Sequence, residues 1–87
     1  MININALEKF LNAGYENVIY LTNYSYDDAL IGISDDNRAI YDYDKMVEWL
    51  VKEESWTTLE AMEWIDYNTI RALPYMGEKC PIIMYRI

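Results

Sequence analysis

The strongest constraint on the fold is the stretch 56–81, whose pattern predicts one long amphipathic helix followed by the entry to a strand. Thr57 precedes Glu60 by three residues, the spacing of a capping box. In that motif each side chain accepts a hydrogen bond from an otherwise unpaired N–H of the first turn. Apolar residues then recur at helical spacing as far as Leu73. Pro74 predicts the helix end, because proline disfavours the α conformation of the residue before it.

Two further helices are predicted from capping residues and apolar spacing. A short first helix begins at Asn5 and ends at Gly14, a residue suited to the left-handed position past a helix end. A second helix begins at Asp42 or Asp44, either of which can serve as the N-cap, and continues to about Glu54.

Four strands are predicted from β-branched and aromatic runs bounded by turn residues. They cover residues 17–22, 29–34, 38–41 and 82–87. Residues 35–37 form a tight hairpin loop between the second and third strands, and Asn37 tolerates a positive φ there.

These elements predict a single small α+β domain over residues 1–87, in the order α-β-β-β-α-α-β. The first three strands would form an antiparallel meander, with the helices packed on one face. The last strand would rejoin the sheet. Because it is so apolar, we expect it inside the sheet or under a helix rather than on a free edge.

Composition excludes several classes of protein. No apolar run reaches the roughly 18 residues of a membrane span, and the N-terminus lacks the basic and hydrophobic segments of a signal peptide. Cys80 is the only cysteine, so the chain can form no internal disulfide, as suits a reducing compartment. We therefore expect a cytoplasmic protein that does not interact with membranes.

The charge is strongly acidic, at −8, and uneven. Through Asp44 the chain has eight acids and two bases, and after it seven acids and five bases. Because phosphate binding needs clustered lysine or arginine, we expect no direct nucleic-acid binding. The charge is compatible with a basic protein partner. The simpler interpretation is that the acids keep the chain in solution.

The residues that usually carry chemistry are scarce. With no histidine and one cysteine, histidine-based nucleophile systems and cysteine-rich zinc sites are excluded within the chain. The three glycines are isolated, so no phosphate-binding loop exists. The acids show no EF-hand spacing and are explained by caps, turns and solvent-exposed helix faces. We expect no enzyme activity, no cofactor and no metal site.

A candidate partner surface comes from two Tyr-x-Tyr pairs with acids around them. Both pairs should not fit fully into so small a core, and tyrosine offers a large contact area with little side-chain entropy to lose. The alternative is that these tyrosines cover the sheet edge and the acids only form turns. The candidate residues are Tyr24, Tyr26, Asp27, Asp28, Asp35, Asp36, Tyr41, Asp42, Tyr43 and Asp44.

A polar group inside the long helix, made of Tyr67, Asn68 and Arg71, has an open role. Asn68 is a poor residue for a helix interior and could bond the loop after Pro74. Arg71 could pair with Asp66 or Asp42, or the group could bind a ligand. Cys80 is expected to be a small buried residue at a strand start.

Two segments, IGISDDNRAIYDYDKMVEWLVKEE and TTLEAMEWIDYNTIRALPYMGEKCPIIMY, resemble a family of small phage and prophage proteins of gut Firmicutes. The resemblance covers about residues 28–85. It implies a mobile element and an intracellular setting, and no activity is assigned to the family.

Together these features favour a non-catalytic protein-interaction module, with self-association included among its interactions. The alternative is an acidic, DNA-mimic-like inhibitor of a host nucleic-acid-binding or defence protein. A small enzyme using surface carboxylates is the third and least favoured class.

Overall fold

The first helix ends as its glycine predicts. The structure, a computed structural model, describes residues 6–15 and 17–87, so the expected cap at Asn5 lies outside the described residues. Helix α1 covers Ala6–Asn12. Gly14 has φ 84°, and the Tyr15 N–H donates to the Phe10 carbonyl at 2.8 Å. This is the backbone pattern of a helix end closed by a left-handed residue.

Within the described residues the sheet has three strands, in the order β1-β2-β3. They are β1 (Leu30–Ile33), β2 (Ala39–Asp42) and β3 (Ile82–Met84). The first two form an antiparallel hairpin, and Asn37 in its loop has φ 63°. Strand β3 pairs in parallel with β2, after a connection that contains the two remaining α-helices. The sheet is therefore mixed, and the predicted α+β class is confirmed.

Two sheet predictions are wrong. Residues 17–22 form no strand, so the three-strand meander is reduced to a hairpin. Asn17 has φ 61°, which interrupts an extended backbone. The Leu21 backbone N–H donates to the Tyr41 hydroxyl at 3.0 Å, so this segment is bonded to a core side chain instead of to a neighbouring strand. Strand β3 lies at an edge of the described sheet rather than inside it, and its three residues are half-buried.

The second helix, α2, covers Tyr43–Glu54. The structure shows which of the two candidate aspartates, Asp42 or Asp44, is its N-cap. Asp42 Oδ1 accepts from the Lys45 N–H at 3.3 Å, so Asp42 is the N-cap and Asp44 belongs to the first turn. Met46 and Leu50 of this helix are fully buried. Burial of each contributes roughly 1.5–3 kcal/mol.

The third helix, α3 (Thr58–Trp64), begins with the predicted capping box. The Thr57 hydroxyl accepts from the Glu60 N–H at 3.1 Å, and Glu60 Oε1 accepts from the Thr57 N–H at 2.9 Å. The helix then leaves α geometry: Ile65–Ile70 is a π-helical segment, and Leu73–Met76 is a 3₁₀ turn containing Pro74.

A side chain offers a physical reason for this change. The Asn68 amide donates to the Trp64 carbonyl at 3.0 Å, which in an α-helix is the acceptor for the Asn68 backbone N–H. The expectation that Asn68 bonds the loop after Pro74 is therefore wrong.

The core lies around α2, which contacts β2, α3 and a 3₁₀ turn at Asp27–Ala29. Its largest fully buried side chains are Tyr26, Tyr41, Met46, Leu50, Ile65 and Pro81. No helix in the described part of the chain is long and apolar enough to cross a membrane.

Candidate functional site

The ten residues of the expected partner surface are divided between core and surface. Asp35 and Asp36 are exposed in the hairpin loop, and Asp28 and Asp44 are exposed elsewhere. Tyr24 and Asp27 are half-buried. The remaining members are buried: Tyr26, Tyr41, Asp42 and Tyr43. The prediction that the four tyrosines form a partner surface is therefore wrong for Tyr26, Tyr41 and Tyr43.

The three buried tyrosines fit the core because each hydroxyl has a partner there. Tyr41 accepts from the Leu21 N–H, and the Tyr26 hydroxyl lies 2.8 Å from Thr69 Oγ1. The Tyr43 hydroxyl donates to Asp66 Oδ1 at 3.0 Å. A buried polar group with a hydrogen-bond partner costs little, so even this small core accommodates three phenols.

The same surroundings keep these hydroxyls neutral. Burial raises the pKa of Tyr26, of Tyr41 and of Tyr43 to about 12 in each case. A phenol that keeps its proton to such high pH is no base or nucleophile at neutral pH. At neutral pH the three tyrosines are therefore neutral hydrogen-bonding groups within the core.

Asp42 is a buried carboxylate with two structural roles. Besides capping α2, its Oδ2 accepts from Arg86 Nη2 at 2.7 Å and Nε at 2.9 Å. Burial alone would raise the pKa of Asp42, but hydrogen bonds from Arg86 and from backbone N–H groups outweigh it and leave that pKa lowered. Asp42 thus joins the start of α2 to the chain end that follows β3.

Arg71 makes neither of the ion pairs expected for it. Its guanidinium carbon lies 4.7 Å from the ring centroid of Tyr67, which is a cation–π contact. The expected partners are engaged elsewhere, Asp66 by the Tyr43 hydroxyl and Asp42 by Arg86.

One exposed surface carries large apolar side chains together with acids. We call it the α3 face and define it as Leu59, Met62, Glu63, Asp66 and Tyr67. Leu59 is 64% exposed and Tyr67 69% exposed. Leu59, Met62 and Glu63 follow the three- and four-residue spacing that places side chains on one side of an α-helix. Asp66 and Tyr67, in the π-helical segment, line one open groove with Glu63.

The α3 face continues onto neighbouring elements. Met62 lines an open groove between α2 and α3, whose apolar members include Val47 and Val51. The Tyr43 ring that bonds Asp66 packs against the exposed Tyr85, with ring centroids 4.9 Å apart. The α3 face therefore adjoins an open groove that has both apolar and charged residues in its lining.

A second feature adjoins this surface. Trp56, Glu60, Glu63 and Trp64 line an open groove, which we call the indole groove. The two indole centroids are 6.4 Å apart with their planes at 41°, and both rings are half-buried. Tyr24 packs edge-on against both rings, at 6.3 Å from Trp56 and 4.8 Å from Trp64. Glu63 belongs to both the groove and the α3 face.

A third, apolar groove lies between α1 and β1. It has a volume of about 270 Å³, and its lining includes Phe10, Tyr15, Ile31 and Ile33. The one charged residue in its described lining is Lys9, whose Nζ donates to the Asp27 carbonyl.

The described residues hold no group of three or more histidine, cysteine, aspartate or glutamate side chains that could bind a metal ion. Cys80 is half-buried, two residues before β3, with its carbonyl accepting from Arg38 Nε at 2.8 Å. Arg38 Nη2 lies 3.5 Å from its sulfur. The contact joins the hairpin to the segment that enters β3.

The sequence pattern did not predict the indole groove, because caps and solvent-exposed helix faces were enough to explain acids such as Glu60 and Glu63. One signal could have indicated it: between Lys52 and Arg71 the chain has five acids and no base. Trp56 and Trp64 lie within that interval, eight residues apart, which is close to two helical turns.

Comparison of the chain with family models, with curated proteins and with solved structures finds no match. The geometry of the molecule is therefore the basis on which a function is inferred.

Proposed function

We propose that this chain is a non-catalytic protein-interaction module whose partner surface is the α3 face. The observation that supports it is the exposure of Leu59 and Met62 on one side of α3, and of Tyr67 in the groove that it lines with Glu63. Tyrosine and methionine are among the residues enriched in protein interfaces. A contiguous exposed apolar patch on a small domain is a common mark of such a site.

The charge of this surface favours a basic partner. Glu63 and Asp66 lie among the apolar members with Arg71 beside them, and Asp44 and Glu48 line the adjoining groove between α2 and α3 together with Arg86. The four acids outnumber the two bases on this surface. Together with the net charge of −8, these acids would speed the approach of a basic protein and make its association rate depend on salt. On the resemblance to phage and prophage proteins, we place this interaction in the bacterial cytoplasm.

The test is quantitative affinity capture from a gut Firmicutes lysate with three forms of the chain. These are the wild type, a Leu59→Ser/Met62→Ser variant and an Asp35→Lys/Asp36→Lys variant. All substituted positions are exposed, so each variant should fold, which circular dichroism would check. We expect a protein captured by the wild type and by the hairpin variant but lost from the α3-face variant.

The same experiment separates the second candidate function, the acidic inhibitor of a nucleic-acid-binding protein, which the net charge favours. That function predicts capture of a nucleic-acid-binding protein, lost on charge reversal at the hairpin and retained after the two serine substitutions. Capture unaffected by the serine substitutions would contradict the α3 face. Sedimentation of the purified wild type would show whether the partner is a second copy.

A further inference from the structure

The indole groove combines aromatic and anionic groups in a way that selects a cation. Its lining consists of the rings of Trp56 and Trp64 and the carboxylates of Glu60 and Glu63, with no basic side chain among the described residues that line it. Aromatic faces attract cations through the ring quadrupole, and tryptophan does so best. Carboxylates beside the rings add direct charge attraction and accept hydrogen bonds.

The groove is held in place before any ligand arrives. Glu60 Oε1 is fixed by the Thr57 N–H in the capping box, and the bond leaves its other carboxylate oxygen for further hydrogen bonds. The two indoles pack edge-on against Tyr24 and lie against each other, which limits their movement. Preorganised groups lose little entropy on binding, which favours affinity.

The helix dipole at the start of α3 opposes a cation in the groove, but its effect is smaller than that of the two carboxylates. Glu60 lies in the first turn of α3, where the helix dipole is equivalent to roughly half a positive charge. The two carboxylates of the groove carry two full negative charges. The net field of the groove therefore favours a positive group.

Among biological cations, the guanidinium group fits these elements best. It is planar and stacks on aromatic rings, and its fixed fork of donors matches a carboxylate, whereas an ammonium group acts as a compact point charge. The molecule already contains such a contact nearby, where the Arg71 guanidinium lies over the Tyr67 ring at 4.7 Å.

We infer that the indole groove receives an arginine side chain of a partner protein, stacked on the Trp56 and Trp64 indoles and hydrogen-bonded to Glu60 and Glu63. The inference rests on the proposed function, since it names one residue type of the partner that the α3 face would bind. Glu63 connects the two, because its side chain lines the indole groove and belongs to the α3 face.

The test is a titration of the ¹⁵N-labelled chain with a short glycine peptide that contains one arginine, followed by NMR. The matched peptide carries citrulline, which has nearly the same shape and no charge. We expect the arginine peptide to shift the indole N–H resonances of Trp56 and Trp64 more than that of Trp49. The citrulline peptide should shift none of them comparably.

Variants at exposed acids give the second half of the test. Glu63→Gln should weaken binding of the arginine peptide about threefold, the scale of one exposed charge pair. Glu78→Gln removes an exposed acid that is no part of the groove and should leave the affinity unchanged. Equal shifts with citrulline, equal losses in both variants, or tighter binding of a lysine peptide would overturn the assignment to arginine.

The two proposals can fail separately. Leu59→Ser/Met62→Ser should leave the peptide titration unchanged, because neither residue lines the indole groove. If that variant loses the captured protein while the arginine peptide does not bind, the arginine assignment is wrong and the proposed function stands. If the peptide binds but capture is unaffected by the variant, the groove stands and the α3 face is wrong.

Discussion

Replacing Tyr41 by phenylalanine would test how the segment 17–22 is held without a sheet. Tyr41 is fully buried, and its hydroxyl accepts the hydrogen bond of the Leu21 N–H at 3.0 Å. Leu21 itself is 3% exposed, so water has little access to the orphaned N–H. Phenylalanine keeps the ring packing, which isolates the loss of this one bond.

The size of the effect follows from the group left behind. A buried donor without a partner costs about 1–3 kcal/mol, and we expect Tyr41→Phe to lower the free energy of unfolding by about 2 kcal/mol. For a chain of 87 residues this corresponds to a fall in Tm of about 10 °C. Urea unfolding followed by tryptophan fluorescence measures the difference.

Tyr26→Phe is the matched control, because it also removes a buried phenol hydroxyl. Its partner is a side-chain hydroxyl, Thr69 Oγ1, which can rotate toward a helix carbonyl one turn back. We expect a smaller loss, about 1 kcal/mol. A loss below about 0.5 kcal/mol for Tyr41→Phe, or a larger loss for Tyr26→Phe, would refute the reasoning.

Two other substitutions test the caps. Thr57→Ala removes one half of the capping box and should lower the free energy of unfolding by about 1 kcal/mol, as read from a urea midpoint; an unchanged midpoint would contradict the role of that cap. Asp42→Asn keeps a capping oxygen but removes the charge that Arg86 contacts, so we expect a loss of about 1–2 kcal/mol at neutral pH. Because the folded-state pKa of Asp42 lies below its ordinary 3.8, its contribution is present above that pH and is lost as the pH falls through the folded value. Wild type and Asp42→Asn should therefore converge in acid unfolding, and a constant difference would count against the ion pair.

Features set by neighbouring residues could be predicted from the sequence. The capping box needs only Thr57 and Glu60 at the right spacing, and the hairpin only a loop residue that tolerates a positive φ, Asn37. Likewise Gly14 ends α1 through bonds within its own turn. The choice between Asp42 and Asp44 as cap stayed open because both fit the local pattern, and it is decided by the end of β2, which holds Asp42 extended.

Features set by contacts between residues far apart in the sequence could not be predicted from it. Residues 17–22 have a strand-like composition, but the Leu21 N–H bonds a side chain twenty positions away rather than a strand. The burial of Tyr26 depends on Thr69, and that of Tyr43 on Asp66. No local pattern reveals these partners, so the tyrosines were assigned to the surface. The position of β3 at an edge also depends on a distant contact, its pairing with β2 on the side that β1 leaves open.

The candidate site was found only in part from sequence for the same reason. Periodicity identified the long helix and its acidic side, which includes Glu63 and Asp66. It did not show that Leu59 and Met62 remain exposed, since both belong to the apolar spacing that predicted a buried stripe. The π-helical segment changes which side chains share a face beyond Trp64, and spacing alone gives no sign of it.

The central claim is tested most directly by placing a photoreactive phenylalanine analogue at single positions in cells that contain the partner. In one variant the analogue replaces Tyr67 on the α3 face, and in the other it replaces Asp35 in the exposed hairpin loop. Illumination at position 67 should yield a covalent adduct with one protein, whose amount falls when Leu59→Ser/Met62→Ser is added, and position 35 should yield none. An adduct at position 35 without one at position 67 would contradict the account.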